Sequence, residues 1–222
     1  MGGCVLMSTF TQLKGRIRSD LADRIPVTFL DTELFQFAVE GAGLIHSYIA
    51  QAAPSYLGEQ TTVSIAEGDS SFAEPANALF IDTLWVKNSA GNYSKFIKTD
   101  EKTVMTSLNH SGIPVYWFNF GDTVYFAPKA SDDFDIVVFY VPKYVRPTTY
   151  DTDFGIGTEF DSMIVEYTII RAHNRNVRQP IVEQQFFNLK SETLRQILNK
   201  RQDARLSLDK TMFNPDYLPR DW

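Results

Sequence analysis

Residues 114–142, PVYWFNFGDTVYFAPKASDDFDIVVFYVP, have the composition of consecutive β-strands. Three are expected, over 114–120, 123–127 and 134–141. Only Gly121 and Asp122 separate the first two, the length of a tight hairpin, and a leading Gly suits a type II′ turn. Pro128 and the cluster 129–133 separate the second from the third. Nearly every residue of Val124-Tyr125-Phe126 and Ile136-Val137-Val138-Phe139-Tyr140 is β-branched or aromatic, as a pleated, half-buried surface requires. The stretch reads as a meander whose apolar face is to be covered by helices from its flanks.

Working outward, the chain of 222 residues is long enough for one large domain or two small ones. Its net charge of −6 gives no overall nucleic-acid footprint, which would be basic. From Glu159 onward 10 Lys and Arg face 9 Asp and Glu, so residues 1–158 carry the whole acidic excess. Cys4 is the only cysteine, so folding rests on no internal disulfide. No apolar run approaches the ~18 residues of a membrane span. The first residues lack a signal-peptide pattern, and Met7 offers a second start; residues 1–7 are expected to form a disordered leader.

Before the β stretch, Ser8 or Thr9 is placed to cap a helix from Phe10 to about Asp23. Leu13, Ile17 and Leu21 recur on one face, with Lys14, Arg16 and Arg18 turned outward. Asp31 is expected to cap a second helix ending at Pro54, with apolar residues on more than one side. Gly41 and Gly43 each cost about 1 kcal/mol relative to Ala inside it, which suggests close approach of a neighbouring helix. Strands are expected over 61–66, 79–87 and 93–98, and a short helix capped by Asp100 over 100–108.

After the β stretch, 143–157 reads as a loop. Thr158 then caps a helix over 159–178, and Pro180 opens another over about 181–208 with Phe186, Leu189, Leu194, Ile197, Leu198 and Ala204 inward. The fold class expected is α+β: a four-helix core, two helices N-terminal and two C-terminal, with an inserted antiparallel β unit and an extended C-terminal tail. The corresponding regions are 8–57 with 158–208 for the core, 58–157 for the insertion and 209–222 for the tail.

The sequence carries no recognisable reaction centre. His46, His110 and His173 have no second His or Cys at ligand spacing. Asp132, Asp133 and Asp135, like Asp151 and Asp153, lack the rest of a calcium loop and read as solvated connections. P-loop, dinucleotide and nucleophile-elbow motifs are missing. No catalytic residue, metal or cofactor is therefore assigned. Two features point to partners instead. Arg171, Arg175 and Arg178, at i, i+4 and i+7, would line one helix face, either a solvated or salt-bridged one or one for contact with DNA phosphate or an acidic neighbouring subunit. Phe213, Tyr217, Leu218 and Trp222 would anchor the tail in a partner's groove, since aromatics dominate interface energetics, or else fold it back over the chain's own β unit.

The order and spacing of these pieces resemble the head-to-tail adaptor (connector) proteins of tailed bacteriophages, particularly of short-tailed phages. The resemblance runs from about Ser8 over nearly the whole chain. Its carriers are the helix TFTQLKGRIRSDL, Asp31-Thr32-Glu33-Leu34, Thr62-Val63-Ser64-Ile65 before an acidic Gly turn, and Ala78-Leu79-Phe80-Ile81. Pro114-x-Tyr116, Gly121-Asp122, Tyr125-Phe126-Ala127-Pro128 and Phe139-Tyr140-x-x-Pro142 follow, then two helices and the tail. Gly41, Gly43 and the long connection at 132–135 depart from the pattern.

The resemblance implies a non-enzymatic ring, usually of twelve copies, joining the portal to the tail or nozzle protein. It would sit at the head–tail junction of the virion and be assembled in the host bacterial cytoplasm, with no membrane partner. Its helices would surround a channel for double-stranded DNA, bound without sequence specificity. The alternative is a receptor- or carbohydrate-binding accessory tail protein using Trp85, Tyr116 and Trp117 as a stacking platform.

Overall fold

The computed structural model describes residues 7–22, 29–87 and 93–175, and the helical residues 181–186, 188, 190 and 192–199. The expected leader, the C-terminal tail with Phe213, Tyr217, Leu218 and Trp222, and Arg178 lie outside the described residues. The chain runs through β1 (Met7–Thr9), α1 (Phe10–Ala22), α2 (Asp31–Ala52), α3 (Pro54–Leu57), β2 (Glu59–Ile65), β3 (Ser71–Ala73) and β4 (Ala78–Lys87). It continues with β5 (Tyr93–Lys95), β6 (Ile97–Lys98), α4 (Glu101–Ser107), β7 (Ser111–Gly112), β8 (Tyr116–Phe120), β9 (Thr123–Ala127), β10 (Lys129–Ala130) and β11 (Phe134–Pro142). Last come β12 (Asp153–Gly157), a 3-10 turn (Thr158–Phe160) and α5 (Asp161–His173). The fold is α+β, and the chain divides into two compact units: Pro54–Lys143, and the two flanking segments together.

In the helical unit, Phe10, Leu13, Ile17 and Leu21 form the buried stripe of α1. Each such side chain contributes about 1.5–3 kcal/mol when taken out of water. Ser8 is not a free cap: its hydroxyl donates to Asp161 Oδ2 at 2.7 Å. The entry to α1 is instead braced by the Thr9 N–H, which donates to Gln12 Oε1 at 2.9 Å, the reverse half of a capping box. Asp31 is likewise not the cap of α2 but its first helical residue. Leu30 holds the cap position, and its N–H donates to Glu33 Oε2 at 3.4 Å. Pro54 follows the C-cap residue Ala53, whose N–H donates to the Ile49 carbonyl at 2.8 Å.

The two glycines of α2 have different reasons. A Cβ at Gly41 would lie 2.7 Å from Tyr167 Cδ1, so a neighbouring helix, α5, does approach there. A Cβ at Gly43 would lie 3.0 Å from Tyr144 Cε1, and Tyr144 belongs to the chain following β11 rather than to a helix. The expected loop 143–157 is also corrected. Phe154 and Ile156 bury on alternate positions of β12, which pairs antiparallel with β1, Met7 opposite Gly157 and Thr9 opposite Asp153. Gly155 takes φ +66°, a conformation that favours glycine.

The helix expected over 159–178 is shorter. Thr158 opens the 3-10 turn, Phe160 precedes α5 without a side-chain cap, and α5 ends at His173. It is buried almost all round, through Met163, Ile164, Val165, Tyr167, Thr168, Ile169 and Ala172. Among the helical residues beyond 180, Val182, Phe186, Leu194 and Leu198 are buried, and the Phe186 ring meets Tyr167 edge-on at 5.4 Å.

The β unit corrects the meander. β8 and β9 are the expected hairpin, with Phe120 opposite Thr123. Gly121 has φ +59° and Asp122 does not take positive φ, as a type II′ turn requires. The third strand, β11, leaves this sheet. Among the described residues the β unit has two four-stranded sheets, in the orders β2-β11-β4-β5 and β3-β9-β8-β6. Pro128 has no N–H with which to extend the β9 ladder, and β10 turns aside to pair with β7.

The apolar face of the hairpin is covered by the other sheet, not by flanking helices. Trp117, Val124 and Phe126 from one sheet share a core with Leu84, Val86, Ile136 and Val138 from the other. The short helix α4 covers the opposite face of the hairpin through Val104, against Phe118 and Ala127. It is capped as expected, Asp100 Oδ1 accepting from the Thr103 N–H at 2.8 Å. Pairing is mainly antiparallel, but β6 with β8 and β10 with β7 are parallel.

Candidate functional site: assembly surfaces

The two described arginines of the expected row do not form a continuous helical stripe. Arg171 lies on α5, whereas Arg175 lies in the turn after it. Both face acids of α2. Arg171 Nε is 3.4 Å from Glu40 Oε2 with its guanidinium over the Phe37 ring, and Arg175 Nη1 is 4.0 Å from Glu33 Oε1. Glu33 and Glu40 are spaced i, i+7, so they share a face of α2. These pairs, with Gly41 beneath Tyr167, fix α5 antiparallel to α2.

A similar arrangement holds α1. Lys14 and Arg18, one turn apart, both pair with the Asp31 carboxylate, Arg18 Nε at 2.9 Å. The Lys14 and Arg18 hydrogen bonds hold the Asp31 carboxyl below the usual carboxylate range. Lys190 Nζ lies 2.5 Å from Glu166 Oε2 and ties the last helical residues to α5. Lys14, Arg18, Arg171, Arg175 and Lys190 are thus each paired with an acid inside the helical unit.

His46 is buried on α2 with its ring 5.3 Å from that of Tyr144, and burial lowers its pKa. Tyr144 donates from its hydroxyl to the Val39 carbonyl at 3.3 Å, and burial raises its pKa. A cavity of about 310 Å³ beside it is lined by Glu40, Ser47, Tyr144, Arg146 and Glu183 among others. A second, of about 620 Å³, is lined by Ile170, His173, Asn174, Gln185 and Asn188. Among the described residues no group of three His, Cys, Asp or Glu is placed to hold a metal ion. The acidic connections have local hydrogen-bonding roles. Asp133 Oδ1 accepts from the Glu67 N–H, Asp135 Oδ1 from the Ser64 hydroxyl, Asp151 Oδ1 from the Thr11 hydroxyl and Asp153 Oδ1 from the Gly155 N–H.

The aromatic platform of the alternative reading does not assemble. Trp117 is 1% exposed, within the core, with Lys98 Nζ 4.9 Å from its ring centroid. Trp85 and Tyr116 are half-buried in different sheets. Among the described residues the large apolar side chains exposed on the β unit are others: Phe120 beside the hairpin turn, and Leu79, Tyr93, Ile97, Met105, Ile113 and Val115. Sequence reasoning missed these because each stands beside buried neighbours of the same composition. The one available signal was Gly121 after Phe120, marking a hairpin end.

What the described side chains offer is internally paired helices and a β unit with open edges, an arrangement suited to assembly. Residues 8–212 match the family described as SU10 adaptor protein, a match that spans both units. The chain belongs to this family of phage adaptor proteins, structural components of the virion. No curated protein matches it.

Proposed function

We propose that this chain forms a ring, of twelve copies in the simplest reading, that joins the portal to the tail and continues the channel for double-stranded DNA. The observation that carries this is the family match over residues 8–212, which embraces helical and β units alike. The helical unit is the ring-forming core, with α1, α2, α5 and the helical residues beyond 180 as its four helices. The acidic excess of residues 1–158 lines or borders the lumen and lets DNA slide by like-charge repulsion. The pairing of Arg171 with Glu40 and of Arg175 with Glu33 supports this, since cations compensated within the chain grip phosphate weakly. Phe213, Tyr217, Leu218 and Trp222 dock on the portal or on a neighbouring copy, and Arg178 is an additional contact to DNA or to that copy.

Light scattering of the purified chain, alone and with portal, tests the reading. The full chain should enter a ring with portal, and a chain cut after Asp209 should fail to do so. A full chain that stays near its monomer mass of 25.3 kDa with intact portal present overturns the adaptor ring.

A further inference from the structure

The two sheets of the β unit end in two rims of opposite character. On one side the edge strands are β2 and β3, joined by residues 66–70; on the other they are β5 and β6, joined by Phe96 alone. Each rim is one run of chain serving first one sheet and then the other. The Phe96 N–H donates to the Leu84 carbonyl of β4, and the Ile97 N–H donates to the carbonyl of Val115, the residue before β8 of the other sheet. β2 pairs with β11 only, and β5 with β4 only, so the outer edge of each lacks a ladder partner among the described residues. Unpaired edges template further pairing unless they are blunted. Neither β2 nor β5 carries a proline, and β2 has no lysine.

The charges of the rims are complementary. Residues 59–74 hold Glu59, Glu67, Asp69 and Glu74 and no Lys or Arg. Asp133, bonded to the Glu67 N–H, adds to them. Lys129 lies a residue from Ala130, which bonds this turn, and Lys143 is committed to the Ala76 carbonyl, so the balance stays negative. Residues 93–98 hold Lys95 and Lys98 and no acid. Asp100, nearby, accepts from the Thr103 N–H. All five residues of β5 and β6 are exposed, Tyr93 at 54% and Ile97 at 55%. Exposed Val115 stands next to Ile97, so the lysine rim also presents an apolar surface. Among the described residues no ion pair within 4.0 Å lies in the β unit, unlike in the helical unit.

We propose that β units of neighbouring copies join head to tail, the β2–β3 acidic rim of one against the β5–β6 lysine rim of the next. This rests on the ring reading and names a contact that reading leaves open. Two different patches on one chain make a heterologous contact, which closes into a ring when the rotation between copies allows. Opposite potentials steer such patches together and fix their register.

Charge reversal in the full chain tests it, by light scattering with portal present. Lys95→Glu and Glu67→Lys should each weaken assembly about tenfold, because like charges then meet across the contact, and each loss should shrink as salt is raised. An equimolar mixture of the two variants should restore assembly, since copies with two acidic rims alternate with copies with two basic ones. For variants that fold poorly, a Cys4→Ser chain carrying Thr62→Cys and Ser94→Cys decides with a bifunctional maleimide. A ladder of trimers and higher multimers supports the contact; products no larger than dimers overturn it. Wild-type rings indifferent to both reversals overturn this contact and leave the adaptor reading standing. A wild-type chain that forms no ring with portal removes both.

Discussion

Gly15 and Gly41 both sit inside helices, yet the same substitution should move stability in opposite directions. A Cβ at Gly15 would meet nothing within 4 Å, so Gly15→Ala should gain about 0.4–1 kcal/mol by restricting the unfolded chain. A Cβ at Gly41 would strike the fully buried Tyr167, so Gly41→Ala should lose about 1–3 kcal/mol to overpacking. Urea unfolding of the two variants beside the wild type checks both signs. His46 makes a second residue-scale prediction. Burial lowers its pKa from the ordinary 6.5, so the unfolded chain binds the proton more readily. Its contribution is fully present above the ordinary value and is lost as pH falls below it. His46→Leu should flatten the dependence of the urea midpoint on pH between about 7 and 5; an unchanged slope would refute this.

Among elements, β9 concentrates the energetics of the β unit. Phe126 is fully buried and meets the rings of Phe72, Phe96 and Phe134 at 6.3, 6.4 and 6.5 Å. Phe126→Ala should therefore destabilise the unit by about 3–5 kcal/mol, read from its thermal unfolding. This element was legible in advance, as were β8, the Gly121 turn and the Asp100 cap, because alternation, turn chemistry and capping are local. The destination of β11 was not, because sheet membership is decided by partners far along the chain, β2 and β4. β12 was overlooked although Phe154 and Ile156 alternate, since its two glycines and flanking Thr and Asp read as loop. Arg171 and Arg175 were legible as a cluster, and a salt-bridged face was among its readings, but their partners were not legible. Their acids lie on another helix, and the helix joining the two arginines stops at His173.

At the scale of the whole molecule, the family was legible where no single motif was, because the order of helices, strands and turns is itself a pattern. The assembly surfaces were less so. The tail anchors came from composition alone, whereas the opposed rims depend on which strands become edges, a property of the folded sheets. The tail and rim experiments are therefore independent readings of one assembly: truncation after Asp209 probes docking, and charge reversal probes the contact between copies.

The helical unit is built from both ends of the chain, with the β unit complete between them. On the ribosome this imposes an order of events. α2 emerges roughly a hundred residues before α5, which at about 5–20 residues per second is a delay of roughly 5–20 s. During that interval the buried residues of α2, Leu34, Ala38, Ile45 and Ile49, still lack the α5 part of their unit, whereas residues 54–143 are completed before α5 and hold everything needed for their own core. The β unit can therefore mature during translation. The first helices to be synthesised wait, as clients of whatever shields apolar nascent chain, until the second half of their own unit has been made.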